Sequence, residues 1–138
     1  MIRFAGIWTL IALAASPSAG AAGALAVGST SDVVGDGIAV GSSVNYPSID
    51  EAREAALQSC QGYARAPKAA STCAAVGTFH GECYAVSYDP KPGTPGAGWA
   101  IAASKDLAEE HALENCKAAA GPTRRDQCRI AESKCDEN

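Results

Sequence analysis

The chain has 138 residues, a formal net charge of −4 and a charged fraction of 19%. This length suits one domain of ordinary size. The basic residues form no run longer than the pair Arg124-Arg125, which argues against a nucleic-acid binder and against attachment to anionic membranes, since both depend on clustered cations.

The first 21 residues have the layout of a secretory signal peptide. Arg3 is followed by an apolar run at 4–15 and then by small residues, with Ala19-Gly20-Ala21 as a small-x-small cleavage site. The run is shorter than the roughly 20 residues that span a bilayer, which disfavours a membrane anchor. We therefore expect export, cleavage near Ala21 and no stable membrane insertion afterwards.

The segment after the cleavage site predicts little regular structure. Residues 22–35 are small, nearly uncharged and without periodicity, which indicates a flexible leader before a domain at 36–138. Ile38 and Val40 then alternate with smaller residues, and this pattern predicts a short strand that ends in a turn near Pro47.

The next segment occurs twice in the chain. The stretches "SIDEAREAALQSC" at 48–60 and "SKDLAEEHALENC" at 104–116 are identical at seven of thirteen positions. Each begins with a serine suited to cap a helix, and each places alanines and a terminal cysteine on one helical face. The repeat therefore predicts two equivalent helices in two related halves of the domain.

The region between the helices predicts a hairpin followed by a loop. Strands are expected at 73–79 and 83–88, and the loop at 89–98 contains three prolines and three glycines, which should divide the halves. One strand–helix–strand half is too small to bury its own apolar face. The predicted fold is therefore a small α+β domain in which two pseudo-duplicated halves share one sheet covered by two helices.

The cysteines are even in number, as expected for disulfides in an exported chain. They are Cys60, Cys73, Cys83, Cys116, Cys128 and Cys135. Many pairings are open from sequence alone, but the symmetry of the halves favours Cys60–Cys73 and Cys116–Cys128, which leaves Cys83–Cys135 to join the halves. The spacings lack the close pairs of zinc or redox sites, so we predict no metal and no cofactor.

One short motif suggests catalysis, although a structural role explains it better. His80, Glu82 and Cys83 lie together in "HGEC", which would suit a thiol nucleophile with a histidine base. A disulfide at Cys83 is the stronger interpretation, and two ligands in one turn are too few for a metal site. His111 lies on the second helix without a catalytic partner, so the chain is not predicted to be an enzyme.

Three aromatic residues are candidates for binding. Tyr46, Tyr88 and Trp99 lie at the ends of predicted strands, where partial burial in a small core is the simpler interpretation. We expect a secreted, disulfide-stabilised binding module that acts on a protein or on an envelope or host macromolecule. The alternatives are an inhibitor of a secreted hydrolase and a small extracellular enzyme that uses the turn at His80 and Cys83.

Several segments together resemble a family of small exported bacterial proteins, domain of unknown function 4189. They are "GIAV", "NYPSIDEAREAALQSC", "CAAVGTFHGEC", "GWAIAASKDLAEEHALENC" and "CRIAESKC". The resemblance implies a secreted or periplasmic α+β domain with paired cysteines, and it brings no known activity, cofactor or catalytic residue. The insert at 89–98 departs from the usual pattern of this family.

Overall fold

The computed structural model describes residues 20–137, which form two copies of a β-β-α-β unit. The first copy contains β1 (Ala22–Ser29), α1 (Val33–Asp36), β2 (Ile38–Tyr46), α2 (Ile49–Gln61), α3 (Pro67–Ala70) and β3 (Ala74–His80). The second copy contains β4 (Cys83–Tyr88), β5 (Ala97–Ala102), α4 (Lys105–Ala120), a 3-10 turn (Arg125–Gln127) and β6 (Arg129–Cys135). The predicted signal peptide lies outside the described residues, apart from its last two positions.

Each copy forms its own three-stranded antiparallel sheet with its first strand in the centre. The strand orders are β2-β1-β3 and β5-β4-β6. The last strand of each copy has a β-bulge, that is, one extra residue in its pairing with the central strand. The extra residue is Val76 in β3 and Ala131 in β6. The two copies therefore share their topology and this bulge, whereas a register shift between Ala22 and Ala24 in the β1–β2 pairing has no counterpart in the β4–β5 pairing. The predicted α+β class and internal repeat are confirmed.

The elements stack in four layers, in the order α2, first sheet, second sheet, α4. Alternate residues of a strand point to opposite faces. Ala22, Ala24 and Ala26 therefore pack with α2. Leu25 and Val27 point to the other face and contact Tyr84 and Val86 of the second sheet. The core between the sheets holds the large apolar side chains, and the layers beneath the helices consist mainly of alanine.

Both long helices begin and pack in the same way. The hydroxyl groups of Ser48 and Ser104 accept hydrogen bonds from the backbone N–H of Glu51 and Leu107, at 3.2 and 3.3 Å. The residues predicted on the buried face are buried in both helices: Ala52, Ala56 and Cys60 in α2, and Ala108, Ala112 and Cys116 in α4. These small side chains allow each helix to approach its sheet closely.

The three predicted disulfides are present. The bonds Cys60–Cys73 and Cys116–Cys128 each join the end of a long helix to the residue before the next strand. The bond Cys83–Cys135 joins directly opposed residues of β4 and β6. The pairing is thus confirmed, but the third bond lies within the second copy and does not link the two copies as predicted.

The prediction of a flexible leader at 22–35 is wrong. Seven of the eight residues of β1 are buried, and this strand is the centre of the first sheet. A central strand that is covered on both faces has no polar face, so it lacks the alternation that identifies a half-exposed strand. The domain therefore includes residues from Ala22 onward.

The prediction of one shared sheet with a hairpin at 73–88 is also wrong. The two edges of β4 are occupied by β5 and β6, and β3 pairs with β1, so no edge is left for β3 to pair with β4. The chain changes sheets at Gly81, which has a φ of 61°. The copies divide at this turn, and the loop at 89–98 lies inside the second copy.

Within residues 20–137, no helix combines the length and the apolar content that crossing a membrane requires.

Candidate binding cleft

A cleft of about 460 Å³ opens between the two sheets. It lies where two equivalent loops meet, the β1–β2 loop at 30–37 and the β4–β5 loop at 89–96. Val33 and Val34 line it from the first loop, and most of the second loop lines it from the other side. The cleft is therefore built by both copies of the repeat.

Apolar side chains form two facing parts of the cleft wall. Ile38 and Val40 of β2 contribute one wall, and Val86 and Trp99 of the second sheet contribute the opposite wall. These side chains also belong to the margin of the core between the sheets, so they are held in place by packing. Tyr88 lies on the rim and is 46% exposed.

A cluster of three polar side chains interrupts these apolar walls. The Ser42 Oγ lies 2.7 Å from the Tyr84 hydroxyl and 3.4 Å from Glu132 Oε1. The Tyr84 hydroxyl donates to the same Glu132 oxygen, and Lys134 Nζ lies 2.9 Å from it. Ser42 and Glu132 line the cleft, so the cluster presents a hydroxyl and a carboxylate to any molecule inside.

The surroundings of this cluster determine its protonation. Burial raises the pKa of Tyr84, and the hydrogen bond to Glu132 raises it further, so the phenol keeps its proton. Burial also raises the pKa of Glu132, but the hydrogen bonds from Tyr84, Lys134 and Ser42 outweigh it, and the net pKa is below the ordinary value. Glu132 is therefore an anion at neutral pH.

The equivalent region of the other copy is closed and apolar. Gly23 is the second residue of β1 and corresponds to Tyr84, and Gly77 is the fourth residue of β3 and corresponds to Glu132. The ring of Phe79 fills the space of a side chain at Gly23, and Ile101 does so at Gly77. Apolar side chains thus fill the space at these two positions in the first copy, whereas the same positions in the second copy form a polar cluster beside an open cleft.

The β4–β5 loop is anchored by an ion pair. The Asp89 side chain is fully buried and accepts two hydrogen bonds from the Arg124 guanidinium, one of them at 2.8 Å. Arg124 lowers the pKa of Asp89 to about 2, against the opposing effect of burial. The β1–β2 loop also forms an ion pair, between Asp36 near its end and Lys68 of α3, at 2.9 Å. Both loops over the cleft are therefore fixed to the helix–strand connection of their own copy.

Two cations on the cleft have no carboxylate partner. Arg65 and Lys91 line it, and neither forms a salt bridge within the part of the chain that the structure describes. Both residues are exposed. They therefore present positive charge at the cleft of a chain whose net charge is negative.

The structure brings together two of the three aromatic candidates. Tyr88 and Trp99 line the cleft with the loop at 89–96, whereas Tyr46 lies at the far end of β2 and outside it. Ser42, Glu132 and Arg65 were not identified from the sequence. The sequence signal for these residues is weak, because they become neighbours only when the two sheets pack.

The "HGEC" turn does not form a catalytic pair. Cys83 is bonded to Cys135, and His80 Nδ1 lies 3.0 Å from the Ala21 carbonyl oxygen. His111 is exposed on α4. Across residues 20–137 no group of three or more His, Cys, Asp or Glu side chains is placed to hold a metal ion.

Comparison with known proteins identifies the family. The searches of curated proteins and of solved structures found no match to this chain. The family model described as domain of unknown function (DUF4189) matches residues 11–135, which is most of the chain and includes every cysteine. The two β-β-α-β copies, the three disulfides and the cleft are therefore features of a protein that belongs to the DUF4189 family.

Proposed function

We propose that this protein is an exported binding module and that the cleft between its sheets is the ligand site. The main support is the contrast between the copies. In the first copy, two positions are Gly23 and Gly77, which are covered by the side chains of Phe79 and Ile101. In the second copy, the equivalent positions are Tyr84 and Glu132, which are hydrogen-bonded to each other. The groups of this polar cluster are bonded to one another, but such a cluster stabilises a fold no better than apolar packing does, so its presence in one copy only favours a role in recognition.

The three disulfides support export. Such bonds persist in oxidising compartments and are rare in the cytosol. The signal-like start of the chain favours the same location, which would be the periplasm, the cell envelope or the medium. Export places the partner outside the cytosol, as a protein or as an envelope or host macromolecule.

Action by binding is favoured over turnover. An enzyme that used His80 and Cys83 would first need reduction of the Cys83–Cys135 bond. An inhibitor of a secreted hydrolase is a special case of a binding module, in which the cleft or its loops would occupy the hydrolase.

The test is capture of a partner by the immobilised mature domain from exported fractions. Wild-type protein is compared with Trp99→Ala, which removes one wall of the cleft, and with Val76→Ala, which removes an apolar side chain that is 46% exposed on β3. We expect the wild type and Val76→Ala to retain the same protein or polymer, and Trp99→Ala to lose it at least about tenfold.

Melting curves and near-UV spectra of the three proteins control for folding. Equal capture by Trp99→Ala with an intact fold would exclude the cleft as the site. Conversion of a substrate by the wild type, with loss of that activity in His80→Ala, would replace the binding module with an enzyme.

A further inference from the structure

We propose that the cleft binds a short extended peptide with free ends, with its ammonium group at Glu132 and its carboxylate at Arg65 and Lys91. The proposal rests on the proposed function, because it names the ligand class of the same cleft. It is carried by the positions of charge along β2, by the apolar walls between these charges, and by the unpaired edge of β2.

Opposite charges line the cleft at separate places. Ser42, near the middle of β2, lies 3.4 Å from Glu132, so the anionic place is beside the middle of this strand. The cationic place is at the loops: Lys91 belongs to the β4–β5 loop, and Arg65 precedes Ala66, which packs beside Gly37 at the start of β2. The Asp89 carboxylate also lines the cleft at the loops, but it is fully buried and paired with Arg124. The charge without a partner at the loops is therefore positive, and the charge further along β2 is negative.

The separation of these places sets the length of the ligand. From Ile38 to Ser42 the strand advances four residues, or about 13 Å at roughly 3.3 Å per residue. An extended peptide advances by the same amount per residue, so about four residues would join the two charged places. A single amino acid is too short to reach both, and a long chain would have to leave the cleft.

The surface between the charges suits apolar side chains and a peptide backbone. Val40, Val86 and Trp99 line this part of the cleft. In the strand order of the first sheet, β2 is an edge strand, and no described strand pairs with its outer side. Such an edge offers backbone donors and acceptors to an added extended segment, while neighbouring pockets take alternate side chains.

Ligands with one charge fit less well. An extended ligand with only a negative charge would place an uncharged end beside the ionised Glu132, and one with only a positive charge would place an uncharged end beside Arg65 and Lys91. Burial of a charged group without compensation is costly. A zwitterion places an opposite charge at both positions. The pair of Glu132 with Lys134 does not block this arrangement, because both side chains are about half exposed, at 42% and 58%.

The experiment follows the fluorescence of Trp99, since the chain has only two tryptophans and Trp8 lies in the predicted signal peptide. The probe is the tetrapeptide alanyl-valyl-alanyl-valine, titrated into the mature protein as the free peptide, the N-acetylated form and the C-amidated form. We expect saturable binding of the free peptide with a dissociation constant below about 1 mM, and binding at least about tenfold weaker for each blocked form.

Variants of the protein test which residues bind each end of the peptide. Glu132→Gln should bind the free and N-acetylated peptides equally, and the double variant Arg65→Gln/Lys91→Gln should bind the free and C-amidated peptides equally. Arg53→Gln on the exposed face of α2 removes a cation outside the cleft and should behave as the wild type. Comparison of two peptides on one variant separates lost recognition from a damaged fold.

Two results would overturn the proposal. One is equal binding of blocked and free peptides by the wild type, and the other is an absence of saturable binding by every form up to about 10 mM. If no peptide binds while partner capture still depends on Trp99, the peptide class is wrong and the binding function stands. If capture is also independent of Trp99, the binding function of the cleft fails as well.

Discussion

At the scale of single residues, glycine allows the backbone of a helix to lie close to the sheet beneath it. Gly98 of β5 lies under α4, where an added Cβ atom would overlap the Ala112 carbonyl oxygen and the Cys116 nitrogen. Neither atom is the end of a flexible side chain, so the helix itself would have to move. We expect Gly98→Ala to lower the free energy of unfolding by about 1 to 3 kcal/mol, measured by denaturant titration.

Gly62 provides the matched control for this substitution. It follows α2 with a φ of −81°, and an added Cβ atom would make only ordinary contacts there. Gly62→Ala should therefore be neutral or stabilise the fold by up to about 1 kcal/mol, because alanine restricts the unfolded chain. Equal destabilisation by both substitutions would contradict the close packing of α4 on β5.

At the scale of elements, the β4–β5 loop depends on Asp89. Its folded pKa of about 2 is below the ordinary 3.8, so the ionised form stabilises the fold above the unfolded pKa, and this stability is lost as the pH falls toward 2. We expect Asp89→Asn to lower the denaturant midpoint at pH 7. The midpoints of the two proteins should converge between pH 4 and pH 2, because a protonated Asp89 resembles asparagine.

The control for this pH dependence is Asp50→Asn. The Asp50 side chain is 91% exposed in its pair with Arg53, and exposed pairs contribute little to stability. This variant should lose less stability at pH 7 than Asp89→Asn does, because an exposed carboxylate in the first turn of α2 interacts only weakly with the helix dipole. A difference between wild type and Asp89→Asn that is unchanged at pH 2 would show that the loop does not depend on the ionised carboxylate.

At the scale of the whole molecule, folding requires β1. This strand forms the centre of the first sheet, and its Leu25 and Val27 belong to the core between the sheets. A mature chain that begins at Asp36 would lack this strand, so β2 and β3 would lose their common partner. We expect that chain to show poor amide dispersion in NMR spectra and mixed disulfides, whereas a chain that begins at Gly20 folds.

The same strand limits where the predicted signal peptide could be removed. Ala22 is buried and lies opposite Tyr46 and His80, so cleavage near Ala21 leaves β1 whole. Intact-mass measurement of exported protein would locate the mature start. An exported protein that begins at Asp36 and is folded would contradict the central role of β1.

Local patterns were sufficient to predict the elements that have one exposed face. Helices α2 and α4 alternate buried alanines with polar residues, and Ser48 and Ser104 mark their starts, so the repeat was visible in the sequence. The disulfide pairing followed from the symmetry of that repeat. These features depend on neighbours along the chain, which is why the sequence by itself determined them.

Tertiary structure decided the role of β1, the division into two sheets and the site. A strand that is covered on both faces has no alternating pattern, and β1, unlike the equally buried β4, consists mainly of alanine and glycine, so residues 22–29 did not indicate a strand. Ser42, Tyr84 and Glu132 are separated by 42 to 90 residues and form a cluster only because two sheets pack face to face. The cleft depends on this packing of distant segments, whereas the helices and disulfides depend on patterns that each repeat carries by itself.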